Sequence, residues 1–144
     1  MPPRSPFGLI QEDLWPNEWR ILIACQMLNC TTRRQVEKVI NEFFEEWPTP
    51  LACATANVSD VSTVIKSLGF ANRRANNLVK MSHEFMEHTW KHARELTGIG
   101  DYAARAWEIF CLGKLGDDEP NDGALSVYWK WRKLHGRQGN CKKT

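Results

Sequence analysis

Leu96-Thr97-Gly98-Ile99-Gly100-Asp101-Tyr102-Ala103-Ala104-Arg105-Ala106-Trp107 places two glycines immediately before a strongly helical run. Glycine reaches backbone conformations closed to other residues and lets a partner come close to the main chain. Beyond the glycines, the spacing puts Tyr102, Ala106, Ile109 and Phe110 on one helical face. Unpaired N–H groups at such a helix start, at the positive end of its dipole, make a natural phosphate site. By itself Gly98-Ile99-Gly100 is a tight turn between two helices. The rest of the chain decides whether it meets nucleic acid.

Upstream, the sequence predicts a series of helices. A short one over Gly8–Trp15 stops at Pro16, and Asn17 caps the next. From Trp19 to Leu28 apolar residues fall on nearly every face, as in a helix buried inside a bundle. Thr31 or Thr32 caps an amphipathic helix with Val36, Val39, Ile40, Phe43, Phe44 and Trp47 inward, ended by Pro48 and Pro50. Short helices over Leu51–Ala56 and Ser59–Lys66 follow, the latter burying Val58, Val61, Val64 and Ile65. Ser67-Leu68-Gly69-Phe70 is a turn with an aromatic residue at its tip. Asn72 opens a long helix to about Trp90, and a short one over His92–Leu96 leads into the glycines.

Downstream, Gly113–Asn121 is a loop rich in glycine and acids. A last helix begins at Asp122 and carries Leu125, Tyr128, Trp129 and Trp131. No stretch alternates as a strand does, and no internal repeat is present. The fold class expected is all-α, a helical bundle. Residues 1–135 are expected to form one domain, and 136–144 a polar, basic tail.

The 144 residues suffice for a proper core, and seven tryptophans with 42% hydrophobic content argue against disorder. The longest apolar run, Ile21 to Cys25, is interrupted at Gln26, far short of a bilayer span. Met1-Pro2-Pro3-Arg4-Ser5-Pro6 lacks the apolar centre of a signal peptide, so an intracellular, non-secreted protein is expected: nuclear if eukaryotic, otherwise cytoplasmic. Cys25, Cys30, Cys53, Cys111 and Cys141 are scattered and odd in number, which suits neither a disulfide framework nor an iron–sulfur or zinc set. His83, His88 and His92 share a region without a closing ligand set, so no metal is expected. A net charge of +2 permits a nucleic-acid partner only where basic residues cluster.

Several stretches together resemble one family. They are Pro3–Glu12, Leu28-Asn29-Cys30-Thr31, Ser67-Leu68-Gly69-Phe70, Gly98-Ile99-Gly100-Asp101-Tyr102, Ile109-Phe110-Cys111 and Pro120-Asn121-Asp122. In this order they are similar to the helix–hairpin–helix DNA glycosylase superfamily, in its methyl-CpG-binding-domain glycosylase branch. The likeness covers roughly residues 3–134 and implies the helix–hairpin–helix glycosylase fold with an active-site cleft. It implies a monomer acting on double-stranded DNA, without a cofactor or a membrane. The implied reaction is excision of thymine or uracil mispaired with guanine, at G·T or G·U pairs.

The resemblance distributes roles over named residues. Asp122 matches the catalytic aspartate: a fixed anion stabilises the positive charge that develops on the sugar, and it orients or deprotonates the attacking water. An aspartate after Pro-Asn is equally a helix N-cap, and both roles are compatible. Tyr102 stands where strand-cutting relatives carry a nucleophilic lysine. Tyrosine forms no imine, so the implied enzyme is monofunctional. Ile10, Gln11 and Tyr102 match base-pocket positions, and Gln11 both donates and accepts, as an imide edge requires. From the residues alone, Ile10 and Tyr102 read equally as core packing and Gln11 as a solvated helix position.

Phe70 matches the wedge that fills the gap left by an extruded base; the alternative is a core anchor for its turn. Gly98, Ile99 and Gly100 match the hairpin that holds the DNA backbone. Arg33, Arg34, Arg73 and Arg74 are candidate phosphate contacts, as are Lys130, Arg132 and Lys133. Two positions depart from the family pattern. Cys30 replaces a duplex-penetrating arginine, which is expected to weaken extrusion or mispair affinity more than bond breaking, with Arg33 and Arg34 placed to compensate. Ala124 replaces a lysine. A non-catalytic helix–hairpin–helix DNA-binding module is the alternative reading. Excision of adenine or oxidised bases is disfavoured by the missing cluster cysteines and lysine.

Overall fold

In the computed structural model, residues 5, 8–116, 119–120 and 123–136 are described, and these form eight α-helices joined by turns, with no strand among them. The helices are α1 (Ile10–Leu14), α2 (Glu18–Leu28), α3 (Arg33–Glu46), α4 (Pro50–Ala54), α5 (Val58–Val64), α6 (Ala71–Glu87), α7 (Asp101–Phe110) and α8 (Gly123–Trp131). Single 3-10 turns, Lys66–Leu68 and Ala93–Glu95, precede α6 and the glycine hairpin. None of the described helices is long and apolar enough to cross a membrane.

The axis of the bundle is α2. Trp19 and Ile21 through Met27 are all buried, and α1, α3, α6 and α7 pack around them. A helix enclosed on every side must satisfy its few polar groups internally. The Trp19 indole accordingly donates to Ser82 Oγ (2.9 Å), and that hydroxyl donates to the Leu78 carbonyl (2.8 Å). On one side α4 and α5 pack with α6, and α3 packs with α5. Phe43 and Phe44 meet edge to face at 5.5 Å, and Phe44 meets Trp19 at 5.7 Å. On the other side α7 packs on α2 and α1, and Phe110 stacks on Tyr128 of α8 at 4.8 Å. Burial pushes the Tyr128 phenol up to about 12, so this ring is held as a neutral core residue.

The helix starts follow capping chemistry. The side chains of Asn17, Thr32, Thr49 and Asn57 accept amide hydrogens in the first turns of α2, α3, α4 and α5. Thr32, not Thr31, is therefore the cap of α3. Other boundaries move. α1 is shorter than Gly8–Trp15 because Gly8 has φ +58° and Trp15 is extended. α6 stops at Glu87, short of Trp90, because His88 turns left-handed (φ 56°). The chain then folds back, with the Trp90 indole donating to the Phe85 carbonyl (3.1 Å). His92 to Leu96 holds only a 3-10 turn, in which His92 Nδ1 accepts from the Arg94 amide (3.1 Å). Trp47, Val58 and Val64 are half-buried and not fully inward. The start of the last helix at Asp122 and the tail from 137 lie outside the described residues.

Candidate nucleic-acid interface and base pocket

The hairpin is built by the residues on either side of its glycines. Gly98 has φ +81°, and a Cβ there would lie 2.3 Å from Gln26 Oε1, so both the backbone and the space demand glycine. Gln26 Nε2 donates to the Thr97 carbonyl (3.0 Å), fastening the hairpin to α2. Glu84 of α6 holds the other side, accepting from the Thr97 amide (2.7 Å) and hydroxyl (2.9 Å). Ile99 is buried and anchors the turn, while Gly98 and Gly100 stay exposed. No side chain caps α7, whose N-cap is Gly100. The start of α7 is the positive end of a helix dipole, where an anion is favoured.

Facing the hairpin is a cleft of about 520 Å³ whose lining includes Gly98, Ile99, Gly100, Cys30, Phe70 and Arg73. Six of the residues matched to DNA contacts thus share one surface. Phe70 is not a core anchor for its turn. It is 78% exposed and sits in the left-handed region (φ 49°, ψ 40°), just after Gly69 at φ +81°. An aromatic side chain presented to water on a left-handed backbone costs the fold about 1–2 kcal/mol. It persists only where the surroundings over-determine it, as functional tips do. Phe70→Gly is therefore expected to raise stability by up to about 1 kcal/mol while impairing extrusion of a mispaired base. Thermal unfolding and the fluorescence of a 2-aminopurine placed beside the mispair measure the two effects.

Cys30 is exposed, also left-handed (φ 59°), and lies across the cleft lining from the hairpin. The other candidate cations divide. Arg73 is exposed and borders the cleft. Arg33 and Arg34, in the first turn of α3, are exposed but outside the cleft lining, and Arg33 pairs with Glu37 at 3.2 Å. Arg74 is half-buried, lines the cleft and also clamps the main chain. Its Nε donates to the Gly69 carbonyl (2.8 Å), Nη1 to that of Gln26 (3.2 Å) and Nη2 to that of Asn29 (2.7 Å). Burial draws its guanidinium below the ordinary value, with the nearby Cys30 acting in the opposite sense. Arg132 is likewise buried, and its Nη1 has no hydrogen-bond partner, whereas Lys130 pairs with Glu119 at 3.6 Å and Lys133 lies over the Trp129 ring.

The base-pocket candidates meet behind the hairpin, on the α1–α7 side. Gln11 is buried, 1% exposed, which overturns its reading as a solvated position. Its Nε2 donates to Tyr102 Oη (2.6 Å) and to Cys25 Sγ (3.5 Å). Ile10 is buried beside it, and Tyr102 is half-buried in the first turn of α7. These three residues do not line the 520 Å³ cleft. Glu12 fixes α1 from below, accepting from the Leu9 amide (2.6 Å) and the Ser5 hydroxyl (3.0 Å). Asp122 lies outside the described residues, as does the side chain of Ala124. The three histidines are apart in function: His83 pairs with Glu87, His92 with Glu108, and His88 packs on Phe85.

Gln26, Asn29 and Asn77 also line the cleft and were not singled out as site residues from the sequence. Gln26 had left a signal, as the polar interruption of an otherwise apolar helix.

With this geometry in place, comparison with known proteins is informative. A family model for HhH-GPD superfamily base excision DNA repair proteins matches residues 24–137. A methyl-CpG-binding domain protein 4-like protein of Arabidopsis thaliana is 35% identical over 93% of this chain and 30% of its own length. A thymine-DNA glycosylase of Aeropyrum pernix is 34% identical over 71% of this chain and 48% of its own. The chain thus spans less than half the length of either relative. The solved structure of a thermostable thymine-DNA glycosylase superposes with a TM-score of 0.63 at 23% identity, covering 71% of this chain and 51% of that one, and shares its fold. The match over residues 24–137 shows the family: the chain belongs to the HhH-GPD superfamily of base excision DNA repair proteins.

Proposed function

We propose that this chain is a monofunctional DNA glycosylase that removes thymine or uracil mispaired with guanine. The observation that carries the reading is the contact between Gln11 and Tyr102, which joins α1 to the first turn of α7 directly after the hairpin. A hydrogen-bonding amide and a phenol are brought together where the family resemblance puts the base, and neither carries the amine that a Schiff base with the sugar requires. The name of the Aeropyrum relative, a thymine-DNA glycosylase, supports the same substrate class.

In this scheme α7 and the hairpin receive the DNA backbone through free amides and the helix dipole. Phe70 enters the stack as the mispaired nucleotide leaves it. Gln11 reads the imide edge of the extruded base, with Ile10 and Tyr102 as walls. Asp122 stabilises charge on the sugar and positions water, so base and abasic strand are the products.

Single-turnover assays on duplexes carrying G·T, G·U and A·U test the reading. Release of thymine and uracil opposite guanine is expected, with an intact strand and no adduct trapped by borohydride. Borohydride trapping, or absence of base release from G·T and G·U, refutes it.

A further inference from the structure

Arg74 donates from all three guanidinium nitrogens to main-chain oxygens that belong to two separate turns. Gly69, bonded through Nε, sets the backbone of the Phe70 tip; Gln26 and Asn29, bonded through Nη1 and Nη2, lie at the C-terminal end of α2, just before Cys30. These carbonyls include ones that a helix end leaves without partners. Gln26 continues the connection, since its side chain donates to Thr97 and fills the space beside Gly98. A line of hydrogen bonds therefore runs from the wedge turn through Arg74 and Gln26 to the hairpin.

We infer that Arg74 and Gln26 are positioning residues that hold the wedge and the hairpin at a fixed separation, so that backbone grip and base extrusion occur together. The inference rests on the DNA-glycosylase reading only for the step that it serves. Phe70 must enter the stack at the nucleotide whose phosphates the hairpin holds. Its left-handed backbone is kept in place by the Arg74 bond to Gly69. A planar fork with fixed donor directions suits this task, and lysine, a single rotatable point charge, does not. Without the connection the two elements still reach DNA, but their spacing is no longer imposed, and a displacement of about 1 Å from productive geometry costs up to about a hundredfold in rate.

The test uses the full chain and three variants: Arg74→Met, Arg74→Lys and Gln26→Met, with Arg73→Met as the comparison. Folding is checked by circular dichroism. Extrusion is read from 2-aminopurine fluorescence beside a G·U mispair, and excision from that duplex is compared with excision of uracil within a short unpaired bubble. The three variants are expected to lower the fluorescence change and to slow duplex excision by about tenfold or more, with the bubble substrate much less affected. Arg74→Met is expected to leave the dependence of binding on salt unchanged. Arg73→Met is expected to lower its slope by about 0.9, the value of one phosphate contact. A slope lowered by Arg74→Met would make Arg74 a phosphate ligand and overturn the inference, as would equal losses on both substrates or full extrusion in Arg74→Lys. Should the wild-type chain release no base, the fluorescence and salt measurements still decide the positioning role, while the glycosylase reading fails separately.

Discussion

Asp122→Asn is expected to abolish base release while leaving DNA affinity and fold intact. Asparagine has the shape of aspartate but not its charge. Removing a fixed group that meets charge developing in a transition state commonly costs about 10²–10³ in rate, and more where water must also be activated. Asp122 immediately precedes α8 in the sequence, and asparagine caps a helix about as well as aspartate. The amide variant therefore separates chemistry from capping. Asp122→Ala is expected to lose both, adding about 1 kcal/mol of destabilisation. Single-turnover kinetics, fluorescence anisotropy with labelled duplex and thermal unfolding distinguish the three effects. Wild-type turnover in Asp122→Asn would remove the catalytic assignment.

Gly98→Ala is expected to be the most damaging single change in the hairpin. A left-handed backbone costs a residue with a Cβ roughly 1–2 kcal/mol. The new methyl would also lie 2.3 Å from Gln26 Oε1 and 2.8 Å from its Cδ. Gln26 is buried, so it yields only by giving up its bond to the Thr97 carbonyl, worth about a further 1 kcal/mol. Together these predict a loss of about 2–3 kcal/mol and a drop in the unfolding midpoint of several degrees. DNA affinity falls with it, because the free amides of α7 lose their setting. Gly100→Ala is the control. Its φ is ordinary and nothing lies within 4 Å of a Cβ there, so its stability is expected to stay near wild type. Equal behaviour of the two variants in thermal melts would contradict this account.

The residues differ in how openly the sequence declares them. Periodicity finds α3 and the α7 face because burial on one side of a helix is written every three to four positions, whereas α2 shows as an almost unbroken apolar run. Phe70 was ambiguous because an aromatic at a turn serves equally as anchor or tip. The decision lies in the dihedral angles of Gly69 and Phe70, which no local pattern encodes. The clamp made by Arg74 is hidden from the sequence for a related reason. A basic residue advertises charge, whereas the carbonyls of Gly69, Gln26 and Asn29 come together only after α2 and α6 pack. Gln11 needed the same packing, since the phenol that it meets lies 91 positions away. Gln26 was the exception that could have been caught, because a polar residue in an enclosed helix requires an internal partner.

The ties from Arg74, Gln26 and Glu84 also assign the mechanical work of recognition. Under the proposed function, the Phe70 turn, Cys30 turn and hairpin, fastened to α2 and α6, make the protein the stiff member of the pair, and the duplex is the one expected to bend. A stiff jaw ranks sites by their compliance: pliable steps yield cheaply, and a poorly stacked mispair yields before a Watson–Crick pair does. On that proposal, selection of mispaired sites is expected to begin in the elasticity of the DNA, ahead of any hydrogen bond between Gln11 and a base.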